Sequence, residues 1–182
     1  MFKILANKDA LYNADGSSNV TASNAVLGDA KAFSGDYGIS TNPESFAFES
    51  YRAYFSDKQR GAIMRLSKDG LTPISEHGMK DWFKDNLRLN KQLIGSYDDR
   101  NDEYNITLKQ SGNTVSFRED VKGWVSFKSF IPENAINCAH QYFTFNNGKL
   151  WKHYIEVDDA GNPKDRNTFY GNHTESKVTV IL

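Results

Sequence analysis

The chain has 182 residues, 38% of them apolar, 25% charged and 13% aromatic, enough for one domain with a real core or for about three blades of a larger sheet assembly. Lys and Arg (22) almost balance Asp and Glu (23), so no long-range field draws the chain to phosphate backbones or anionic membranes, and neither nucleic acid nor membrane is expected as a partner. One cysteine, Cys138, excludes an intrachain disulfide, and its setting AINCAHQYF reads as a small buried thiol of a chain folded in a reducing cytosol.

The N-terminal stretch MFKILANKDALYNADG holds no apolar run long enough for a signal or a membrane span, so the chain is expected to begin at or near Met1. Residues 13–45 are rich in Asn, Ser, Gly, Ala and Asp and read as extended loop. The first 45 residues are therefore expected to form an extended segment that depends on a partner for order. From residue 46 to 182 the texture is β-rich. FAFESYRAYFSD alternates like one half-buried strand, DKQRG reads as a hairpin loop, AIMRLS as the returning strand, and LTPIS after the Asp-Gly turn as a short edge strand.

Residues 76–90, EHGMKDWFKDNLRLN, break the pattern. Met79, Trp82, Phe83 and Leu87 fall at helical spacing, with Ser75 placed to cap the start, so one amphipathic helix is expected. Beyond it, apolar-alternating arms flank Ser111-Gly112-Asn113, GWVSFKSF gives a strand anchored by Trp124, Phe127 and Phe130, and Asn146-Asn147-Gly148 marks another tight turn. The tail KVTVIL reads as an apolar strand in need of a partner.

Three stretches repeat one form, a strand, a Gly-bearing turn and a returning strand: AYFSDKQRGAIMRLSKDG, DEYNITLKQSGNTVSFRED and QYFTFNNGKLWKHY. The fold class expected is mainly β, of antiparallel meander sheets in propeller-like blades with one amphipathic helix, and such repeats serve to present surface.

Chemistry is sparse. Asp98, Asp99, Asn101, Asp102 and Glu103 crowd together, but without the alternating ligands and central Gly of a calcium loop they read as a solvated hairpin tip with local Asx hydrogen bonds. Glu44, Glu49, Glu119 and Glu133 are candidate acids for glycoside hydrolysis that the sequence does not pair, and they read as surface charge. His77, His140, His153 and His173 show no metal-ligand spacing with one another or with Cys138. No catalytic, cofactor or metal site is assigned, and no enzymatic activity is expected. Tyr51, Tyr54, Phe55, Trp124, Phe127, Tyr142, Phe143, Phe145 and Trp151 read as core, with Phe143 and Phe145 turned inward together. The glycosylation patterns at Asn19, Asn105 and Asn172 read as chance in an Asn-rich chain.

Several words in fixed order carry a resemblance: DKQRGA with RLSKDGLTPIS, then YDDRNDEYN, then GWVSFKSFIPE, then the Asn-Gly turn before LWKH. In them the chain, over roughly residues 30–182, resembles the repeat region of large virion structural proteins of tailed bacteriophages, including crAss-like and marine phages. The resemblance implies a tail, neck or muzzle component built of propeller-like sheets, assembled in the host cytoplasm and residing in the virion. Its partners would be other virion proteins and copies of itself. The alternatives are a host-surface glycan-binding or depolymerase module of the tail, or an inactive fragment of a larger virion protein.

Overall fold

The computed structural model describes residues 2–6, 9–12, 18–21 and 27–180, with side chains from residue 32 on. The chain divides into two compact units, Met1–Tyr37 and Gly38–Leu182.

The first unit has four strands, β1 (Phe2–Ala6), β2 (Asp9–Tyr12), β3 (Ser18–Thr21) and β4 (Leu27–Ala32). Antiparallel pairing of β2 with β3 is nested in sequence within that of β1 with β4. The segment read as extended loop thus pairs its backbone locally, which needs few large side chains.

The second unit opens with a meander sheet of β5 (Ala47–Glu49), β6 (Arg52–Asp57), β7 (Ala62–Ser67) and β8 (Gly70–Pro73) in that spatial order. FAFESYRAYFSD is two strands, because the chain turns at Ser50 and Tyr51. A 3-10 turn at Ile74–Glu76 leads to helix α1 (Lys80–Leu89). Ser75 sits buried inside the 3-10 turn and caps nothing; the helix starts after Met79 because Gly78, at φ +82°, interrupts helical geometry.

The second sheet is a meander of β9 (Leu93–Asp98), β10 (Glu103–Leu108), β11 (Asn113–Arg118) and β12 (Gly123–Lys128). The third has β13 (Asn134–Cys138), β14 (Gln141–Asn146) and β15 (Lys149–Lys152), followed by a short hairpin of β16 (Thr168–Phe169) and β17 (Asn172–His173). The protein is mainly β, built of antiparallel meanders with one α-helix among the described residues. First strands of successive sheets are neighbours, β5 beside β9 and β9 beside β13.

Strand register decides which side chains meet. Tyr54 of the first sheet stacks on Tyr104 of the second at 4.8 Å between ring centroids, and on Tyr97 at 5.8 Å. Around them Ile63, Phe83, Leu87, Leu93, Ile106 and Val115 form one buried cluster, with Trp82 and Trp124 packed against it. The amphipathic face of α1 supplies Phe83 and Leu87, each worth about 2 kcal/mol of burial.

In β14 the alternation runs opposite to expectation. Tyr142 and Thr144 are buried, Phe143 is half-buried and Phe145 is exposed. The inward positions are those that hydrogen-bond, so partner chemistry rather than apolarity orients the strand. Cys138 is exposed, on the same face of the sheet as Ile136 and Phe143, not a buried thiol. Lys177–Val180 form no strand and are exposed. No helix among the described residues is long and apolar enough to cross a membrane.

Candidate functional site

Two seams join the three sheets, and they use different chemistry. At the first, Glu119, in the turn after β11, reaches over to the first sheet. Its Oε2 lies 2.7 Å from Arg65 Nη1 and 3.8 Å from Arg52 Nε, and its Oε1 accepts from Tyr54 OH at 2.9 Å. Arg52 also holds Glu49 at 2.8 Å. Burial, helped by the Glu119 charge, pushes the Tyr54 phenol far above its ordinary range and keeps it a donor. Of the four candidate acids, Glu49 and Glu119 therefore converge, but on a shared guanidinium that neutralises both. Glu44 accepts from Asn42 Nδ2 at 3.3 Å, and Glu133 caps the β14–β15 turn through the N–H groups of Asn147 and Gly148 at 3.1 and 3.3 Å.

The second seam is polar and nevertheless buried. The face of the second sheet turned to the third carries Ser96, Asp98, Glu103, Asn105, Thr107, Thr114 and Ser116, all buried. A polar group loses water there and must find a protein partner. Ser96 and Tyr142 share a hydroxyl hydrogen bond at 2.7 Å, Thr107 and Thr114 another at 2.8 Å, Ser116 Oγ donates to Asn105 Oδ1 at 2.5 Å, and Thr114 donates to the Phe130 carbonyl at 2.7 Å. Lys128 closes the row on Glu103 at 2.9 Å.

The acidic cluster belongs to this seam. Asp98 is fully buried, accepts from Arg100 N at 3.0 Å and Asn101 Nδ2 at 3.2 Å, and also accepts from Tyr154 OH. The Asx hydrogen bonds are those expected, but Asp98 and Glu103 are withdrawn from water while Asp99 and Asp102 stay exposed. Burial raises the Asp98 carboxyl above the usual carboxylate range, against the pull of its hydrogen bonds.

His153 lies at the heart of the same seam. Its Nε2 meets Thr144 Oγ1 at 2.8 Å, and Thr144 accepts in turn from Tyr170 OH at 2.9 Å. Rings of Phe130, Tyr142 and Phe169 surround it. Burial, with the Lys128 charge as a lesser cause, lowers its pKa to about 4, so the imidazole is neutral at neutral pH. His77, His140 and His173 are exposed and scattered, and among the described residues no three His, Cys, Asp or Glu side chains are grouped to hold a metal.

Aromatic residues divide between seam and surface. Tyr54, Phe55 and Tyr142 are buried, Trp124 and Trp151 half-buried, and Tyr51, Phe127 and Phe145 exposed. Asn105, hydrogen-bonded within the seam, is closed to glycosylation, Asn172 is exposed, and the Asn19 side chain lies outside the described residues.

The outer face of the third sheet carries an open apolar patch among the polar side chains of Asn134, Gln141 and Lys152. Register places Ile136 beside Phe143 and Phe145 beside Leu150, with Ile136 54% and Leu150 58% exposed. Sequence reading missed this patch because it assigned Phe143 and Phe145 to the core and did not see β13.

Among known proteins, no curated protein matches the chain. A family model described as crassvirus muzzle protein matches residues 4–148, which takes in most of the first unit, the first two sheets of the second unit, and β13 and β14 of the third. The chain thus belongs to the crassvirus muzzle protein family, a family of virion structural proteins of tailed phages.

Proposed function

We propose that the chain works in the tail or neck region of the particle as a packing element, its sheets serving as successive blades of a propeller-like assembly. The observation that carries this reading is the open apolar patch of Ile136, Phe145 and Leu150, with Phe143 half-buried beside it, on the third sheet, whereas the inner strands β6, β7, β10 and β11 of the first two sheets are mostly buried. First strands lying side by side, β5, β9 and β13, also suit blades arranged about an axis. The work is binding rather than catalysis: Glu49 and Glu119, the acids that converge, are held in ion pairs with arginines. Residues 1–45 act as the partner-dependent segment, and the partners are other virion proteins and copies of the chain, without nucleic acid or membrane.

Cross-linking mass spectrometry on purified particles tests this. Lys149 and Lys152, which flank the open face on β15, should cross-link to tail or neck proteins. Links confined to the capsid shell, or absence of the chain from particles, would overturn it.

A further inference from the structure

The two seams differ in what opening them costs. The buried cluster of the first seam draws on the first sheet, the 3-10 turn at Ile74, α1 and the second sheet, and no residue of it comes from the third sheet. Opening that seam puts apolar surface into water with nothing gained. Across the second seam the ties are hydrogen bonds: Ser96 with Tyr142 at 2.7 Å, Asn101 Nδ2 to Tyr154 OH at 2.7 Å, Lys109 Nζ to the Pro132 carbonyl at 3.1 Å, Asn137 Nδ2 to the Tyr97 carbonyl, and Tyr154 OH to Asp98. Water can replace each of these when the sheets part, so this seam is the easier one to open.

The apolar grip of the second seam gathers around one titratable side chain. Phe130 at 4.8 Å, Tyr142 at 5.1 Å and Phe169 at 5.7 Å between ring centroids enclose His153. The charged and titratable groups turned to it are Lys128 from β12, Tyr142 from β14, Tyr154 beside it in the chain, and Tyr170 of the β16–β17 turn through Thr144. None of these is a carboxylate. The two acids of the seam are engaged by other groups, Glu103 by Lys128 at 2.9 Å and Asp98 by Tyr154. Thr144 accepts from Tyr170 OH, which leaves its own proton for His153 Nε2. A proton on Nε2 ends that bond and sets an unpaired cation beside Lys128 in a buried site.

We propose that the second seam is a releasable joint: when His153 takes up a proton, the third sheet and the β16–β17 hairpin part from the second sheet together, while the first seam stays closed. Parting returns the imidazolium to water and uncovers the hydrogen-bonding row of the second sheet. Acid drives the opening, because His153 is held at about 4 in the closed joint and regains its ordinary 6.5 in the open one. Burial of Asp98, which favours its protonated form, opposes this in part. The joint goes beyond the packing role proposed above and does not depend on it.

Neighbouring residues of β11 report the two seams separately: Val115 belongs to the apolar cluster and Ser116 to the polar row, and both are fully buried. The test uses full-length chains in a Cys138→Ser background that carry either Val115→Cys or Ser116→Cys, with circular dichroism to confirm folding at neutral pH. Each is treated with dipyridyl disulfide, and its rate is divided by that of an unstructured thiol peptide at the same pH. Between neutral pH and about pH 4 the Ser116→Cys chain should gain at least about tenfold in relative rate, the Val115→Cys chain should not change, and adding His153→Gln to the Ser116→Cys chain should abolish the gain. Ser96→Cys on β9 faces the same seam and takes its place should Ser116→Cys fail to fold. An unchanged rate for Ser116→Cys, an equal gain for Val115→Cys, or a gain that survives His153→Gln would each overturn the proposal. None of these outcomes touches the packing role, which is read on particles.

Discussion

Gly95 sits where β9 meets the 3-10 turn at Pro43–Ser45, and a Cβ there would lie 1.9 Å from the Ser45 carbonyl oxygen. The same carbonyl accepts from Tyr104 OH at 2.9 Å, so it has no freedom to retreat. Gly95→Ala should cost at least about 3 kcal/mol in urea unfolding, by forced separation of packed backbone. Backbone strain alone costs less. The turn between β13 and β14 is made by Ala139 and His140, both at positive φ (50° and 57°), where the turn between β14 and β15 uses Asn147 and Gly148 at similar angles. Ala and His do not favour that region, which explains why Asn-Asn-Gly was legible as a turn and Cys-Ala-His was not. His140→Gly should therefore stabilise the protein by about 1 kcal/mol, measured as a raised urea midpoint. His153 supplies a pH dependence. Its folded pKa lies near 4, below its ordinary 6.5, so the stability it contributes is intact above pH 6.5 and is lost as pH falls through about 4. The loss amounts to about 3 kcal/mol. Asp98, with a raised pKa, acts in the opposite sense, favouring the fold where it is protonated and losing that contribution as pH rises. His153→Gln should remove the histidine component, seen as a flatter urea midpoint across that window than the parent shows.

Among the elements, α1 acts as a brace between two hairpin tips. Arg88 donates to the Gln59 carbonyl at 3.1 Å in the first sheet's central hairpin, while Asn90 bonds the Asn86 carbonyl and both Ser111 N and Ser111 Oγ in the second's. Its helical spacing announced a helix with a buried stripe; which hairpins the ends would meet depended on Asn90 and Arg88, residues without a sequence signature. The three repeats read from the sequence are the central hairpins, β6–β7, β10–β11 and β14–β15. First strands escaped notice because β5 is three residues long and β13 mixes small and polar residues. Between the first two sheets Glu119 is the one carboxylate shared by Arg52, Arg65 and Tyr54. Glu119→Gln should destabilise by about 2 kcal/mol, between the values for exposed and buried pairs, and a double-mutant cycle with Arg65→Met should show positive coupling. Glu49→Gln, whose partner Arg52 is more exposed, should cost less than about 1 kcal/mol in the same assay.

At the scale of the molecule, two ways of holding sheets together coexist: an aromatic and aliphatic seam between the first and second, and a hydrogen-bonded seam between the second and third. The outward apolar residues of the third sheet contribute little to the isolated fold. Ile136→Thr and Phe145→Thr should each change the unfolding free energy by less than about 0.5 kcal/mol while weakening association with particle proteins, a separation checked by urea melts alongside cross-linking yield. The sequence by itself determined the β class, the central hairpins and the single helix, because alternation, Asn-Gly and Asp-Gly turns and helical spacing act over a few residues. It also determined the family, through ordered words along the chain. Only the tertiary structure decided which faces are inside. β10 reads as apolar alternating with polar, the mark of a strand half in water, yet all six of its residues are buried. Asn105 and Thr107 face inward because Ser116 and Thr114 of the next strand satisfy them, while Phe145 faces outward because Tyr142 and Thr144 occupy the inner side with partners of their own. A hydrogen-bond partner brought from another strand or sheet reverses the usual sorting of polar from apolar, and no local pattern records it.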